Sequence, residues 1–257
     1  MEELRYAHLD PDCSVNVYEG VLWDNDYVEF HDAAIADDGR AVVTYSDGAT
    51  WVAFLDASGG VLRTEEAFDI GAAYGGHVAI NKVTGAGLVG GQVHSGNGIY
   101  YRRFDAGFGW VDGAEVHMDT SNYHYWYDGY TVGMNDRSEF VFLWKSATNQ
   151  MDARFFDAGG GHVNQISWGT PDIGYGWDSF RARHSEIPLR GDNFILGDVF
   201  SSGGEVVNHY EYTPAGALVS TSDTTTFVSQ GLSIRTDDSG TALLREGNTL
   251  EVRLDYP

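Results

Sequence analysis

From residue 30 onward the chain is built of short runs that alternate apolar and polar residues, each broken by a turn rich in Gly, Asp or Asn. Period-two alternation puts one face of a strand against a core, and these turn residues supply the positive-φ and side-chain-capped geometries of tight hairpins. One recurring piece is the hairpin Ala33–Val43 around Asp37-Asp38-Gly39. It returns as Val78-Ala79-Ile80-Asn81 running on to Gly87-Leu88-Val89, and as Val132-Gly133-Met134-Asn135-Asp136 running on to Phe140-Val141-Phe142. Two more copies are Ile187–Ile195 and Leu232–Gly240. A second hairpin follows the first in each unit. It runs Trp51–Asp56 with Gly59-Gly60, Tyr100–Asp105 with Gly107 and Trp110, Ala153–Asp157 with Gly159-Gly160-Gly161, and His209–Tyr212 with Pro214 and Gly216.

Two hairpins per unit predict a four-stranded antiparallel sheet. An aromatic-Asp marker falls at Asp56, Asp105, Asp157, Thr213 and Asp255, in steps of 49, 52, 56 and 42. Such a period is that of one propeller blade, and a blade buries both faces only by packing against neighbours. The pattern therefore predicts an all-β chain, a five-bladed β-propeller of four-stranded antiparallel blades forming one domain over residues 1–257. The end Leu250–Pro257 reads as a third strand with no fourth, and Ser14–Glu19 as an orphan fourth strand, so their pairing closes the ring and removes two open edges. Leu4–Asp10 competes with the C-terminal segment for that place, which keeps a six-bladed parent as the alternative.

Composition agrees with many short strands: 14% aromatic, 33 Gly and only 5 Pro. Charge narrows the partners. With 38 acidic residues against 15 basic ones, and only Lys82 and Lys145 as lysines, the formal net charge is −23. Such a surface repels the phosphate backbone of nucleic acid and disfavours anionic membranes. No apolar run is long enough for a membrane-spanning helix, so no membrane insertion is expected. Cys13 is alone, which excludes an intramolecular disulfide, and no zinc-type ligand spacing is present; the sequence implies no metal and no cofactor. Met1-Glu2-Glu3-Leu4-Arg5 carries neither the basic nor the apolar region of an export signal, which leaves a cytoplasmic protein or one whose signal segment has been removed.

Two stretches resemble a known repeat: Tyr100–Gly107 with Gly109-Trp110, and Phe140–Trp144 followed by Ala153–Gly160. They are similar to the degenerate repeat of bacterial secreted propellers, where a strand like GNAVAVW is followed by YARRYDAGGGW. The resemblance covers roughly residues 16–257. It implies a sialidase-like propeller fold and a protein secreted or placed in the periplasm or at the cell surface, its signal segment absent from this sequence. Its motifs are structural, so it implies no specific reaction. Ser46-Asp47-Gly48-Ala49-Thr50-Trp51 lacks the spacer residues of a sialidase Asp box and reads as a plain hairpin turn.

Function in such a scaffold sits on the connections between blades. Here they carry Trp23, Tyr27 and His31 before the first blade, Tyr74 and His77 before the second, His124, Trp126 and Tyr127 before the third, and Trp177, Arg181, Arg183 and His184 before the fourth. Aromatic faces beside His, Arg and carboxylates suit a sugar or another small polar ligand, though the same rings would also serve to plug the channel. The loops differ while the strands repeat, which favours one central site over a multivalent lectin. The leading expectation is an exported, monomeric binding propeller. The alternative is a carbohydrate-active enzyme on the same face. A polysaccharide lyase would use Tyr, His and Arg beside a uronate; a glycoside hydrolase would pair carboxylates from Asp24, Asp26, Asp32, Asp128, Asp178 and Glu186. A metal held by histidines and an Asp, and a structural adhesin acting through blade edges, are the remaining readings.

Overall fold

The computed structural model describes residues 4–9, 15–23, 30–46, 48–68, 73–93, 98–119, 130–147, 150–169, 187, 189–199, 206–225, 232–237, 240–245 and 251–255. Every regular element among them is a β-strand. β1 (Leu4–Leu9) and β2 (Val15–Trp23) pair antiparallel in a two-stranded sheet. Of the two segments that compete in the sequence for the place beside Val15–Glu19, Leu4–Leu9 is the one that takes it.

Four-stranded sheets follow, each antiparallel with its strands in chain order. The first holds β3 (Phe30–Ile35), β4 (Ala41–Ser46), β5 (Thr50–Leu55) and β6 (Val61–Glu66). The second holds β7 (Ala73–Ile80), β8 (Gly87–Val93), β9 (Gly98–Phe104) and β10 (Val116–Asp119). β11 (Tyr130–Met134), β12 (Phe140–Ala147), β13 (Gln150–Phe156) and β14 (His162–Gly169) make the third. β15 (Leu189–Arg190), β16 (Asn193–Val199), β17 (Val206–Tyr212) and β18 (Leu218–Thr225) make the fourth. β19 (Leu232–Asp237), β20 (Gly240–Arg245) and β21 (Glu251–Asp255) form a three-stranded fifth. The predicted hairpins thus fall where the strand pairs lie, and Ser46 pairs with Thr50 across the plain turn expected there. The chain divides into two compact units, Met1–Asp119 and Thr120–Pro257.

One tight turn closes six of the hairpins. At Ala36, Asp56, Asp105, Asn135, Asp157 and Thr213 the N–H donates to the carbonyl four residues on, and the N–H three residues on donates back. That third residue is left-handed: Gly39, Gly59, Gly160 and Gly216 at φ 88°, 83°, 82° and 74°, and Phe108 and Ser138 at 64° and 62°. The aromatic-Asp marker is the cap of this turn. Asp56 Oδ1 accepts from the Ser58 and Gly60 N–H groups at 2.8 and 2.9 Å, and Asp105 Oδ1 from those of Gly107 and Gly109 at 2.8 Å each. Asp157 Oδ1 accepts from the Gly161 N–H at 2.8 Å, and Thr213 Oγ1 takes the same part for Ala217 at 3.1 Å. A Cβ at Gly60 or Gly161 would stand only 2.8 or 2.7 Å from the capping carboxylate, so these two copies keep glycine after the left-handed residue, where Arg40, Glu139 and Ala217 stand in the copies opened by Ala36, Asn135 and Thr213.

Ser138 and Phe108 are the strained copies, because a β-carbon in the left-handed region costs about 1–2 kcal/mol. Ser138→Gly is expected to raise stability by about 0.5–1 kcal/mol once the extra chain entropy of glycine is offset. Urea unfolding reads it, and a lower midpoint contradicts it. Phe108→Gly should act in the opposite direction, since the Phe108 ring is 3% exposed and packs 4.9 Å from Phe54.

In the first unit the faces of the first two sheets meet in a core of Val42, Val52, Phe54, Val78, Ile80, Val89, Phe104 and Phe108. Close approach is needed at Gly76 of β7, where a Cβ would stand 3.0 and 3.1 Å from Thr50 and Thr44. Two arginines of the first sheet hold the second by its turns. Arg40 donates to the carbonyls of Ala106 and, at 3.2 Å, Thr84; Arg63 donates to the Phe108 carbonyl while lying 4.5 Å over the Phe54 ring. In the second unit the third and fourth sheets repeat the scheme with Val141, Leu143, Ala153, Phe155, Phe194, Leu196 and Tyr212. Asn164 stands where Arg63 does and donates to the Ala215 carbonyl at 3.2 Å.

Candidate functional site

Each four-stranded sheet is a meander, so its first and third turns lie at one end and its middle turn at the other. The two ends differ in chemistry. At the turn end the polar side chains are engaged: the capping Asp, Asn and Thr hold backbone N–H groups, Arg40 pairs with Asp38 at 2.7 Å, and Arg137 with Glu139 at 2.9 Å.

Midway along two neighbouring first strands Asp32 and His77 come together. Each sits four residues before the first residue of its turn, on β3 and β7, and their side chains retain 14% and 13% of their exposure. His77 Nδ1 lies 3.3 Å from Asp32 Oδ2, which also accepts the Val78 N–H at 3.1 Å; Oδ1 accepts the Ala33 N–H at 2.9 Å. A carboxylate only accepts, so in this hydrogen bond Nδ1 is the donor. Beside them Thr44 Oγ1 donates to the Gly76 carbonyl at 2.9 Å. In the first unit Ser46 Oγ, and in the second unit Ser146 Oγ and Trp144 Nε1, are buried with no hydrogen-bond partner among the described residues.

Of the residues predicted for the site, His77 is the one whose side chain is described. Trp23 ends β2, His31 pairs with Tyr45 in β3–β4, and Tyr74 pairs with Gln92 in β7–β8; their backbones lie at the expected loop ends of their strands. Tyr27, His124, Trp126, Tyr127, Trp177, Arg181, Arg183 and His184 lie outside the described residues. Asp32 entered the sequence reading only as one of six carboxylates; its neighbour 45 positions away could not be named from spacing. Among the described residues no group of three His, Cys, Asp or Glu is placed to hold a metal ion. No helix among them is long and apolar enough to cross a membrane.

A second charged arrangement lies on the second sheet. Arg103 Nη2 and Nε reach Asp112 at 2.7 and 3.1 Å, and the Arg103 N–H donates to the same carboxylate at 2.9 Å. Burial acts to raise the Asp112 pKa, and it is outweighed by the side-chain and backbone hydrogen bonds of Arg103 and by the charges of Arg103 and Arg102, which hold it below the usual carboxylate value. A depressed folded-state pKa contributes stability above the unfolded value, and that contribution is lost as pH falls through the folded one. Asp112→Asn should therefore be less stable than wild type at neutral pH, with the gap closing below about pH 4. Unfolding midpoints from pH 7 downward test this, and a gap independent of pH contradicts it.

No family model and no curated protein matches the chain. Solved structures do. The β-propeller domain of the Trilobed protease from Pyrococcus furiosus superposes with a TM-score of 0.52 at 8% identity, over 90% of this chain and 69% of that one. The Dos1 propeller superposes with a TM-score of 0.52 at 11% identity, over 95% and 70%. The fold is a β-propeller. An α-L-arabinofuranosidase (CtGH43) from Clostridium thermocellum also superposes, with a TM-score of 0.50 at 12% identity, over 85% of this chain and 82% of that one. The meandering sheets are accordingly blades, with β3, β7, β11 and β15 as their first strands.

Proposed function

We propose that the chain is an exported, monomeric binding propeller of the bacterial sialidase-like repeat group. In this reading the loop-bearing ends of its blades capture a carbohydrate or similar small polar ligand. The observation that carries it is the Asp32–His77 pair. It sets a largely buried imidazole against a carboxylate midway along two adjacent inner strands, while polar groups at the turn end serve the turns. Supporting it are the buried Ser46 hydroxyl, which a ligand or water would partner, and the aromatic-rich composition of the connections between blades.

A carbohydrate-active enzyme is the second reading, with a lyase ahead of a hydrolase. An imidazole oriented by a carboxylate through Nδ1 is the arrangement of a general base, and the arabinofuranosidase shares the fold. A glycan array spanning neutral and uronate-containing oligosaccharides, run beside ultraviolet detection of unsaturated product from uronate polymers, separates the readings. Capture predicts array binding that His77→Ala weakens at least tenfold, with no product. Product formation abolished by His77→Ala moves the assignment to a lyase. Absence of both binding and product overturns both readings and leaves a structural adhesin.

A further inference from the structure

The outer groove between the first two blades departs from the groove between the third and fourth at three points. Ala67 and Trp168 stand eleven residues beyond the turn caps Asp56 and Asp157, in the same register: the Ala67 N–H donates to the Thr50 carbonyl, and Trp168 pairs with Met151, its counterpart. Both join the core shared with the following blade. Between the third and fourth blades the Trp168 ring fills the groove, 5.7 Å from Tyr210. Between the first and second, alanine replaces that tryptophan, and Arg102 takes the position of Tyr210, three residues before its turn.

The third departure is in the fourth strand of the second blade. β18 runs unbroken from Leu218 to Thr225, whereas in the second blade a single bridge at Trp110 is followed by bends through Ala114 before β10 begins. Asp112 fixes this excursion through its hydrogen bonds with Arg103, and Arg102 Nε donates to the Asp112 carbonyl at 3.2 Å. The result is an open cleft of about 360 Å³ lined by Glu66, Ala67, Phe68, Arg102, Gly113, Ala114 and Glu115. Its size falls in the usual range for small-molecule sites.

We propose that this cleft binds one flat aromatic ring carrying a cationic or N–H-donor group, seated where Trp168 sits between the other blades. The Arg102 guanidinium lies 4.3 Å over the Trp110 ring, so a ligand ring stacks on its opposite face, extending the pile. Glu66 and Glu115 outnumber the single guanidinium of the lining, and the chain carries a net charge of −23, so the ring's substituent is cationic or a donor. Anionic rings are disfavoured by the same charges. The site does not involve Asp32 or His77 and stands independently of the carbohydrate reading.

Tryptamine is the probe, with indole-3-acetate and cyclohexylamine as controls, titrated into the whole protein by ligand-observed NMR and calorimetry. Saturable tryptamine binding is expected, with a dissociation constant on the order of 1 mM or tighter. Indole-3-acetate and cyclohexylamine should each bind at least fivefold more weakly. Ala67→Trp fills the cleft with the chain's own solution from the other groove and should weaken tryptamine at least tenfold. Should that variant fail to fold, Glu66→Gln/Glu115→Gln takes its place and should erase the preference for tryptamine over indole-3-acetate. No saturable tryptamine binding, binding unaltered by a folded Ala67→Trp, or a preference that survives loss of both carboxylates overturns the proposal.

Discussion

Replacing Phe54 with alanine is expected to cost about 3–5 kcal/mol, the range for truncating a buried phenylalanine. The ring is fully buried, and four partners converge on it: Phe104 at 5.4 Å, Phe108 at 4.9 Å, Trp110 at 5.7 Å and the Arg63 guanidinium at 4.5 Å. Three of these belong to the following blade, so truncation empties the seam between two blades and also removes the platform under Arg63. Arg63 would then hold the Phe108 carbonyl without the ring that fixes its plane. The melting temperature should fall on the order of 10 °C for a chain of this length. Phe54→Leu keeps most of the volume and should lose about a third as much. A Phe54→Ala loss below about 1 kcal/mol would mean that the blades do not share this core.

Asp32→Ala should be the next most damaging, at about 2–4 kcal/mol. One carboxylate accepts from two backbone N–H groups and an imidazole, and hydrogen bonds to a charged acceptor are worth about 1.5–3 kcal/mol each before discount for partial exposure. The Val78 bond crosses from the first blade to the second, so the loss falls on the contact between two inner strands. Asp32→Asn retains an acceptor for Val78 and should lose less than half as much stability. It also presents an amide in place of a purely accepting group, so it releases the tautomer control on His77 and should impair ligand capture more than its stability loss accounts for. Urea unfolding of the two variants, read beside their ligand affinity, checks both statements. Equal stability of Asp32→Ala and wild type contradicts the cross-blade role.

The blades were legible in the sequence because their signals are local. Alternation fixes the strands, and the aspartates at 56, 105 and 157 cap turns closed within five residues, so composition and spacing carry the information. Phe108 and Ser138, holding a left-handed position that glycine fills elsewhere, hid two of those turns only slightly. What stayed illegible depends on register between blades. Asp32 meets His77 because Gly76 lets β7 approach β4 closely, and no spacing rule announces that contact. The exchange of Trp168 for Ala67 likewise becomes meaningful only when two grooves are compared in three dimensions. His124, Trp126 and Tyr127 were singled out by composition alone and lie outside the described residues.

Calorimetric titration of the strongest glycan from the array against four proteins bears most directly on which end of the blades is functional. These are wild type, His77→Ala, Trp126→Ala and the turn-end variant Arg137→Ala, whose side chain is 55% exposed beside Glu139. Ligand capture at the loop end predicts that His77→Ala and Trp126→Ala each lose at least about tenfold in affinity, a difference near 1.4 kcal/mol, while Arg137→Ala binds like wild type. His77 and Trp126 variants that bind like wild type, or a turn-end variant that alone loses the ligand, would contradict it.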